Sequence, residues 1–380
     1  MLIDIHLLKN YPPTNLNRDE SGTPKSCFFN GSQRGRISSQ CLKHSWRSSD
    51  DFSNLKLGIR TRYLPEMIND ILKERGIDAS FLKEVKNKLS KLGQSDTKQV
   101  DKKDDDKDEQ KFQTKQIMFF SQNDIEAVAD VVENSIKQAE TIDKFKKITL
   151  KEWQNILKVN ALPITVDIAL FGRMVTDDSF KDVEASLQVA HAISTNVVDF
   201  ESDFFSAVDD LNKDYNDDSG SAMIGDIDYN SCCYYIYASL DVNQLMENLQ
   251  GNEDAKIIIE NALEGLIRAM TFSNPSGKQN SFAGHVLPGL LCIELKDKKI
   301  PISYVNAFAK PVYKNDYMAE SVEKLKDEIN KVSDCYGDFI SVKDRIWFSP
   351  GIDSLNPKNS KHIKSFNEVL DICKLWIKEV

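Results

Sequence analysis

No run of apolar residues in this 380-residue chain approaches the ~18 needed to cross a bilayer, so neither a membrane span nor a secretory leader is expected. Cysteine is sparse and unpatterned. The seven thiols, at positions 27, 41, 232, 233, 292, 335 and 373, are odd in number and include no CxxC, which points to a reducing cytoplasm. Glycine is thin as well: with 16 Gly and neither GxGxxG nor GxxxxGK[ST], nothing here builds a dinucleotide or P-loop phosphate cradle. HExxH and Cys/His clusters are also missing. The one calcium-like start, Asp226-Ile227-Asp228-Tyr229-Asn230, has Ser231 where the loop needs Gly and Tyr237 where it needs Glu. No metal and no cofactor is therefore expected.

Another absence is local. Ser21–Ser49 contains no Asp or Glu but carries Lys25, Arg34, Arg36, Lys43 and Arg47, in a chain of net charge −10. A basic island in an acidic protein points to a local polyanionic partner. Its second half reads as a helix. Ser38 or Ser39 can cap the first turn, and Ile37 precedes it as a staple residue. At helical spacing Gln40, Lys43, His44 and Arg47 share one face, while Leu42 and Trp46 lie opposite. Charged helix faces are ordinarily just solvated, and the missing acids argue for binding. The Gly31–Arg36 segment reads as a loop that brings Arg34 and Arg36 to that face. Hydroxyls at a helix start are caps before they are nucleophiles, so Ser38-Ser39 near His44 is not assigned catalysis.

The length and the 41% hydrophobic content suit two or three domains, or one domain with large insertions. Leu2–Leu8 alternates as an opening strand with His6 half-buried in it, and Asn17-Arg18-Asp19 is a turn with Arg18 available for a phosphate. Residues 50–159 are charged and helical, with helices over Leu64–Leu72, Phe81–Leu92, Asp124–Ala139 and Leu150–Val159, and Asp101–Glu109 as a solvated loop. Pro163–Met174 reads as a strand ending at Gly172-Arg173-Met174. Glu184–Thr195 suits either helix or strand. Asp199–Leu211 sets Phe204-Phe205 among acids, Asp217–Asn230 is turn-rich, and Ser231–Asn243 is strongly β-prone. Asp254–Phe272 is an amphipathic helix with Ile257, Ile258, Ala262, Leu266, Ile267 and Met270 as its core stripe. A polar loop with Lys278-Gln279-Asn280 and a strand over Val286–Leu295 come next. This order suits an α+β ferredoxin-like sheet with insertions. Cations, amides and a flexible apolar wedge are the parts of a groove that tracks a single strand.

Several motifs carry a resemblance. Asn17-Arg18-Asp19, Arg36–Gln40 (RISSQ) with Leu42-Lys43, Asp167–Met174 (DIALFGRM), Ala190–Thr195 (AHAIST) and Phe205–Leu211 (FSAVDDL) are followed by Lys278-Gln279 and Asn306–Phe308. In this order they resemble the backbone subunit of the type I-E CRISPR Cascade surveillance complex, from residue 2 to about 312. The resemblance implies a repeat-associated mysterious protein fold: α+β, with a ferredoxin-like/RNA-recognition-like palm, helical fingers and a protruding thumb. Palm would occupy 1–50, fingers 51–162, a palm strand and connection 163–197, thumb 198–228, and the rest of the palm with C-terminal helices 229–380. The glycine-rich loop common in the wider superfamily is missing near the C-terminus.

The same resemblance implies a non-catalytic, cytoplasmic scaffold. It would polymerise along the guide RNA (crRNA), display the guide to target DNA, and assemble with large, small and guide-processing or capping Cascade subunits. Arg18, Ser38, Gln40, Lys43 and Arg47 would grip the guide, with Lys25, Arg34, Arg36, Arg173, Lys278 and Gln279 completing the RNA-binding set. Met174 and a thumb tip of Phe204, Phe205 and Ser206 would wedge at kinked nucleotides. The rival is a metal-dependent, guide-associated RNA endonuclease using a loop aspartate. Asp19 is the acid nearest the basic stretch besides Glu20, and it reads instead as ordering the turn beside Arg18.

Overall fold

The computed structural model describes residues 1–53, 55–93, 112–159, 163–175, 180–207, 223–252, 254–313, 315–351 and 357–378. The Asp101–Glu109 run lies outside them. The strands in chain order are β1 (Leu2–Thr14), β2 (Ser26–Phe29), β3 (Ser32–Ile37), β4 (Ile59–Thr61), β5 (Met118–Phe120), β6 (Leu187–Val189), β7 (Ala192–Ser194), β8 (Glu201–Ala207), β9 (Met223–Asp241), β10 (Leu290–Lys296), β11 (Val342–Phe348) and β12 (Lys361–His362). The chain divides into two compact units, one of residues 1–54, 187–243 and 259–380, the other of residues 55–186 and 244–258. It is an α+β protein.

The first unit is built on one sheet, ordered β12-β11-β10-β1-β9-β7-β3-β2, with β6 and β8 also paired to β9. Only β11 and β12 run parallel. β1 sits between β10 and β9, so both its edges are hydrogen-bonded. Alternation sends Asp4, His6 and Leu8 to one face, where Tyr235, Tyr237, Tyr304 and Trp347 pack under the helix Tyr317–Ile340. His6 is fully buried rather than half-buried, stacked on Tyr237 with its Nδ1 2.9 Å from the Tyr235 hydroxyl, and burial pulls its pKa down to about 4. Beside it Lys296 meets Asp4 (2.5 Å) and Glu294 (3.2 Å), and Arg345 meets Glu294 (2.7 Å), all buried. On the other face Lys9 donates to the Ser273 carbonyl (3.0 Å) and Tyr11 to Asn274 (2.7 Å), just past the helix Ala255–Phe272.

Several local readings change or are decided. Residues 31–36 are not a loop: Asn30 and Gly31 take φ of +47° and +78°, closing a two-residue hairpin from β2 into β3. Glu184–Thr195, open in the sequence, holds the short strands β6 and β7. Residues 223–230, read as turns, extend β9 into a ribbon with β8. Ile257 is 56% exposed, while Ala262, Leu266, Ile267 and Met270 of its stripe are buried.

The second unit is helical, with Leu64–Glu74, Ala79–Leu89, Gln122–Ala139, Ile142–Lys147 and Leu150–Val159 around a core that includes Ile68, Val85, Phe120, Val132, Phe145 and Trp153. Ser121 and Asp124 cap the longest helix reciprocally, each side chain accepting the other's backbone N–H. Residues 166–171 form a helix, not a strand. A short apolar run carries no decisive period, and here Gly172 (φ +80°) ends a single turn and a half while Asp167 accepts the Gly58 N–H (2.9 Å).

Candidate nucleic-acid interface

The basic helix forms as its residues dictate. Ile37 ends β3, Ser38 adopts an extended cap conformation, and its hydroxyl accepts the Cys41 N–H (3.3 Å) to start the helix α1 (Ser39–Arg47). Asn17 Oδ1 accepts the Ser38 N–H (2.9 Å), tying the first turn of the chain to the helix entrance. Leu42 and Trp46 are buried, and the opposite face shows Gln40 and His44 exposed with Lys43 and Arg47 half-buried. Burial lowers the Lys43 pKa. Acids are missing from the first turn, so the partial positive charge of the helix start stands uncompensated.

Residues 16–22 face the Cys41, His44 and Ser45 side of α1, within a turn that runs on to Lys25. Asp19 holds that turn, its Oδ1 accepting from the Ser21 N–H (2.9 Å), the Ser21 hydroxyl (2.7 Å) and the Thr23 N–H (3.1 Å). These bonds, the Ser21 hydroxyl's first, keep its carboxyl below the usual carboxylate range. Arg18 and Lys25 project from the same turn. The third wall is the loop after Phe272. Gly277 lies against the carbonyls of Asn15 and Leu16, and Gly284 against Thr14, so close that any Cβ would collide. Together the three walls enclose an open cleft of about 560 Å³ whose lining includes Arg18, the acids Asp19 and Glu20, Cys41, His44 and Gly277. A second opening of about 680 Å³ continues past Arg18, Glu20 and Lys25.

The expected binding residues divide. Arg18, Lys25, Ser38, Gln40, Lys43 and Arg47 gather on α1 and the facing turn, and Arg36 extends the line at the end of β3. Among the described residues, Arg18, Lys25 and Arg36 meet no carboxylate within ion-pair distance. Arg34 is elsewhere: fully buried, its guanidinium donates to the carbonyls of Ser194 (3.0 Å), Thr195 (2.9 Å) and Phe308 (2.8 Å). It satisfies strand-end carbonyls and offers nothing to solvent. Lys278 is half-buried in a left-handed backbone conformation, and Gln279 spends its amide N–H on the Pro275 carbonyl (2.8 Å), so it braces the loop.

Arg173, in the helical unit, is also buried: it pairs with Asp124 (2.6 Å) and reaches the Lys181 carbonyl (3.2 Å). Its neighbour Met174 is 90% exposed, an apolar side chain left in water. Phe204, Phe205 and Ser206 are paired within the β8–β9 ladder, and residues 208–222 beyond them lie outside the described residues. Phe204 is 69% exposed, whereas the Phe205 ring lies across Gly225 on the partner strand. The sequence reading missed His191, which is exposed beside Arg36 (3.1 Å); only the strand register reveals it.

One buried trio among the described residues, Asp4, His6 and Glu294, is spaced to hold a cation. Its carboxylates already take Lys296, Arg345, Tyr237 and Tyr304, so charge balance is met without a metal.

The whole chain has known counterparts. A chain of a "CRISPR RNA-guided surveillance complex, pre-nicking" superposes with a TM-score of 0.80 at 26% identity, covering 99% of this chain and 100% of that one. A chain of a "CRISPR RNA-guided surveillance complex" superposes with a TM-score of 0.60 at 19% identity, covering 99% of each, and shares the fold. No curated protein matches the sequence. The profile of the CT1975-like proteins matches residues 3–372, nearly end to end, and the chain belongs to that family.

Proposed function

We propose that this chain is a non-catalytic, guide-RNA-binding backbone subunit of a type I-E CRISPR Cascade complex. The observation that carries the reading is the line of cations without acid partners, Arg18, Lys25 and Arg36, beside the α1 face. A groove of that kind suits a chain of phosphates and no small substrate. The palm reading is supported by the antiparallel order β10-β1-β9-β7, with α1 and the helix Ala255–Phe272 as the two crossovers, an order that a ferredoxin-like palm would have. The helical unit would be the fingers and the β8–β9 ribbon the thumb's shaft. The solved complexes that this chain resembles are RNA-guided, which makes crRNA the first ligand to test. Target DNA would be met through the guide, and further copies of this chain and the large, small and capping subunits would be its protein partners.

Against a nuclease stands Asp19, whose carboxylate is engaged by Ser21 and Thr23 within its own turn. The test is to purify the protein, treat any co-purified nucleic acid with RNase or DNase, and measure single-stranded RNA affinity across a salt series. RNase-sensitive cargo and a linear fall of log K with log salt are expected. Affinity that ignores salt, or cleavage of added complementary RNA that requires Mg²⁺, would overturn the reading.

A further inference from the structure

The track of cations continues beyond the helix to a residue with different chemistry. Arg36, at the end of β3, donates through Nε to the Ser26 carbonyl (3.2 Å), and its NH1 lies 3.1 Å from Nδ1 of His191 in the short link between β6 and β7. A guanidinium can only donate, so this contact requires Nδ1 to be unprotonated. The imidazole is thereby fixed as the tautomer with its proton on Nε2, and the side chain is exposed. Lys25, which lines the opening beside Arg18, is the other charge acting on the ring. Cys27 on β2 lies within the field of Arg36, and among the described residues no carboxylate acts on His191. Three groups able to carry positive charge thus share one surface; Asp19 and Glu20 line the opening beside Lys25, but among the described residues no carboxylate lies within ion-pair distance of Lys25 or Arg36.

Resting on the RNA-binding reading above, we propose that Lys25, Arg36 and His191 form a second phosphate subsite, which takes up one proton at His191 as an RNA phosphate binds. In the free protein, burial first and then the Arg36 and Lys25 charges hold the His191 pKa below its ordinary value of 6.5, so the ring is neutral near pH 7. An arriving phosphate accepts from the Arg36 guanidinium in place of Nδ1. Nδ1 is then free to be protonated by solvent, and the imidazolium donates to the same anion. The bound-state pKa rises above the free one. Proton uptake on binding means affinity increases as pH falls from above the bound pKa to below the free pKa, and is flat outside that window.

The experiment compares a single-stranded RNA oligonucleotide binding to the full chain, freed of co-purified nucleic acid, between pH 8 and pH 6. Wild type is expected to bind about three- to tenfold tighter at pH 6, since one linked proton allows at most tenfold per pH unit. His191→Gln keeps an acceptor for Arg36 but cannot titrate, and the pH dependence of its RNA affinity should vanish. His44→Gln, which alters the other exposed imidazole at the cleft, should retain the pH dependence. In wild type, the His191 ring resonance in an NMR spectrum should move toward its protonated position when RNA is added at pH 7. An identical pH dependence in wild type and His191→Gln, or a His191 resonance unmoved by RNA, would sink the subsite and leave the RNA reading intact. No RNA binding by wild type at any pH would instead overturn the RNA reading, and the subsite with it.

Discussion

Positive charge is handled in two ways in this molecule. In the helical unit, Arg75 pairs with Asp130 (2.6 Å) and Glu133 (2.7 Å), Lys137 with Glu133 (2.5 Å), Lys86 with Glu66 (3.5 Å), and Arg173 with Asp124 (2.6 Å). In the first unit the buried Lys296 and Arg345 are likewise matched by Asp4 and Glu294. At the cleft, which Asp19 and Glu20 also line, Arg18 and Lys25, and Arg36 beyond them, have no carboxylate within ion-pair distance among the described residues. In a chain of net charge −10, these three unmatched cations in one place are the feature on which the proposed anion-binding surface rests. Surface charge by itself carries little information; the pairing state carries a good deal.

The strongest way to break that contrast is Arg173→Leu. Arg173 and Asp124 are each about 4% exposed, and removing the cation strands a buried carboxylate. A loss of about 3–5 kcal/mol of stability is expected, read as a drop in the denaturant midpoint, with salt-dependent RNA affinity retained at temperatures where the variant is folded. Unchanged stability together with weaker RNA binding would move Arg173 into the binding set.

Next in size is the acid response of the first unit. His6 titrates at about 4 when folded, below its ordinary 6.5, because burial disfavours the cation. The unfolded chain therefore binds the extra proton between those values, and stability falls as pH drops from 6.5 toward 4, by on the order of 3 kcal/mol. Burial pushes Glu294 up, but Arg345 and Lys296 override it and hold the carboxyl at about 2, so its contribution is lost only as pH falls from about 4.5 to 2. His6→Phe should flatten the upper part of the stability–pH curve and leave the lower part. A curve in which His6→Phe and wild type run parallel from pH 6.5 to 4 would refute the assignment.

A good part of this was legible in the chain, and what was not has a common cause. Helix α1, its Ser38 cap and its buried Leu42 and Trp46 depend on residues within one turn of each other, and local spacing specifies them. The helices around residues 64–159 are legible for the same reason. Arg34 and Arg173 were read as cations facing an anion because their fates are set by distant partners. Arg34 is claimed by carbonyls 160 and 274 positions away, and Arg173 by a carboxylate 49 positions away. Arg36 and Arg34 are two residues apart and looked equivalent. The fold separates them, since one reaches trapped carbonyls and the other an exposed imidazole. His191 lies inside the Ala190–Thr195 motif, but nothing local marks it as facing Arg36, and strand pairing alone brings it there.

Third in expected effect are Arg18→Ala and Lys43→Ala. Each removes one candidate phosphate contact, so the slope of log K against log salt should fall by about 0.7 per variant for single-stranded RNA, additively in the double variant. Weakening should be similar for any RNA sequence, since phosphate contacts carry no base information. Wild-type slopes in both variants, with thermal unfolding unchanged, would show that the cleft is only a solvated face.

The smallest effect is the control that makes the others interpretable. Arg75 carries the same formal charge as Arg18, but it is held between Asp130 and Glu133 on the helical unit's surface. Hydrogen bonds to those two carboxylates, Asp130's first, raise its pKa further, so it is a permanent cation already balanced by fixed negative charge. Such exposed pairs contribute little to stability because water screens them and two long side chains must be ordered. Arg75→Ala should therefore shift thermal unfolding by under about 2 °C. It should also leave RNA affinity and its salt slope at wild-type values, although the substitution removes the same formal charge as Arg18→Ala. The comparison isolates pairing from charge: both variants make the protein more acidic by one unit, and only one opens a gap in the track. If Arg75→Ala weakens RNA binding as much as Arg18→Ala does, then the long-range field of the whole molecule governs affinity, and the unpaired state of the cleft cations explains nothing.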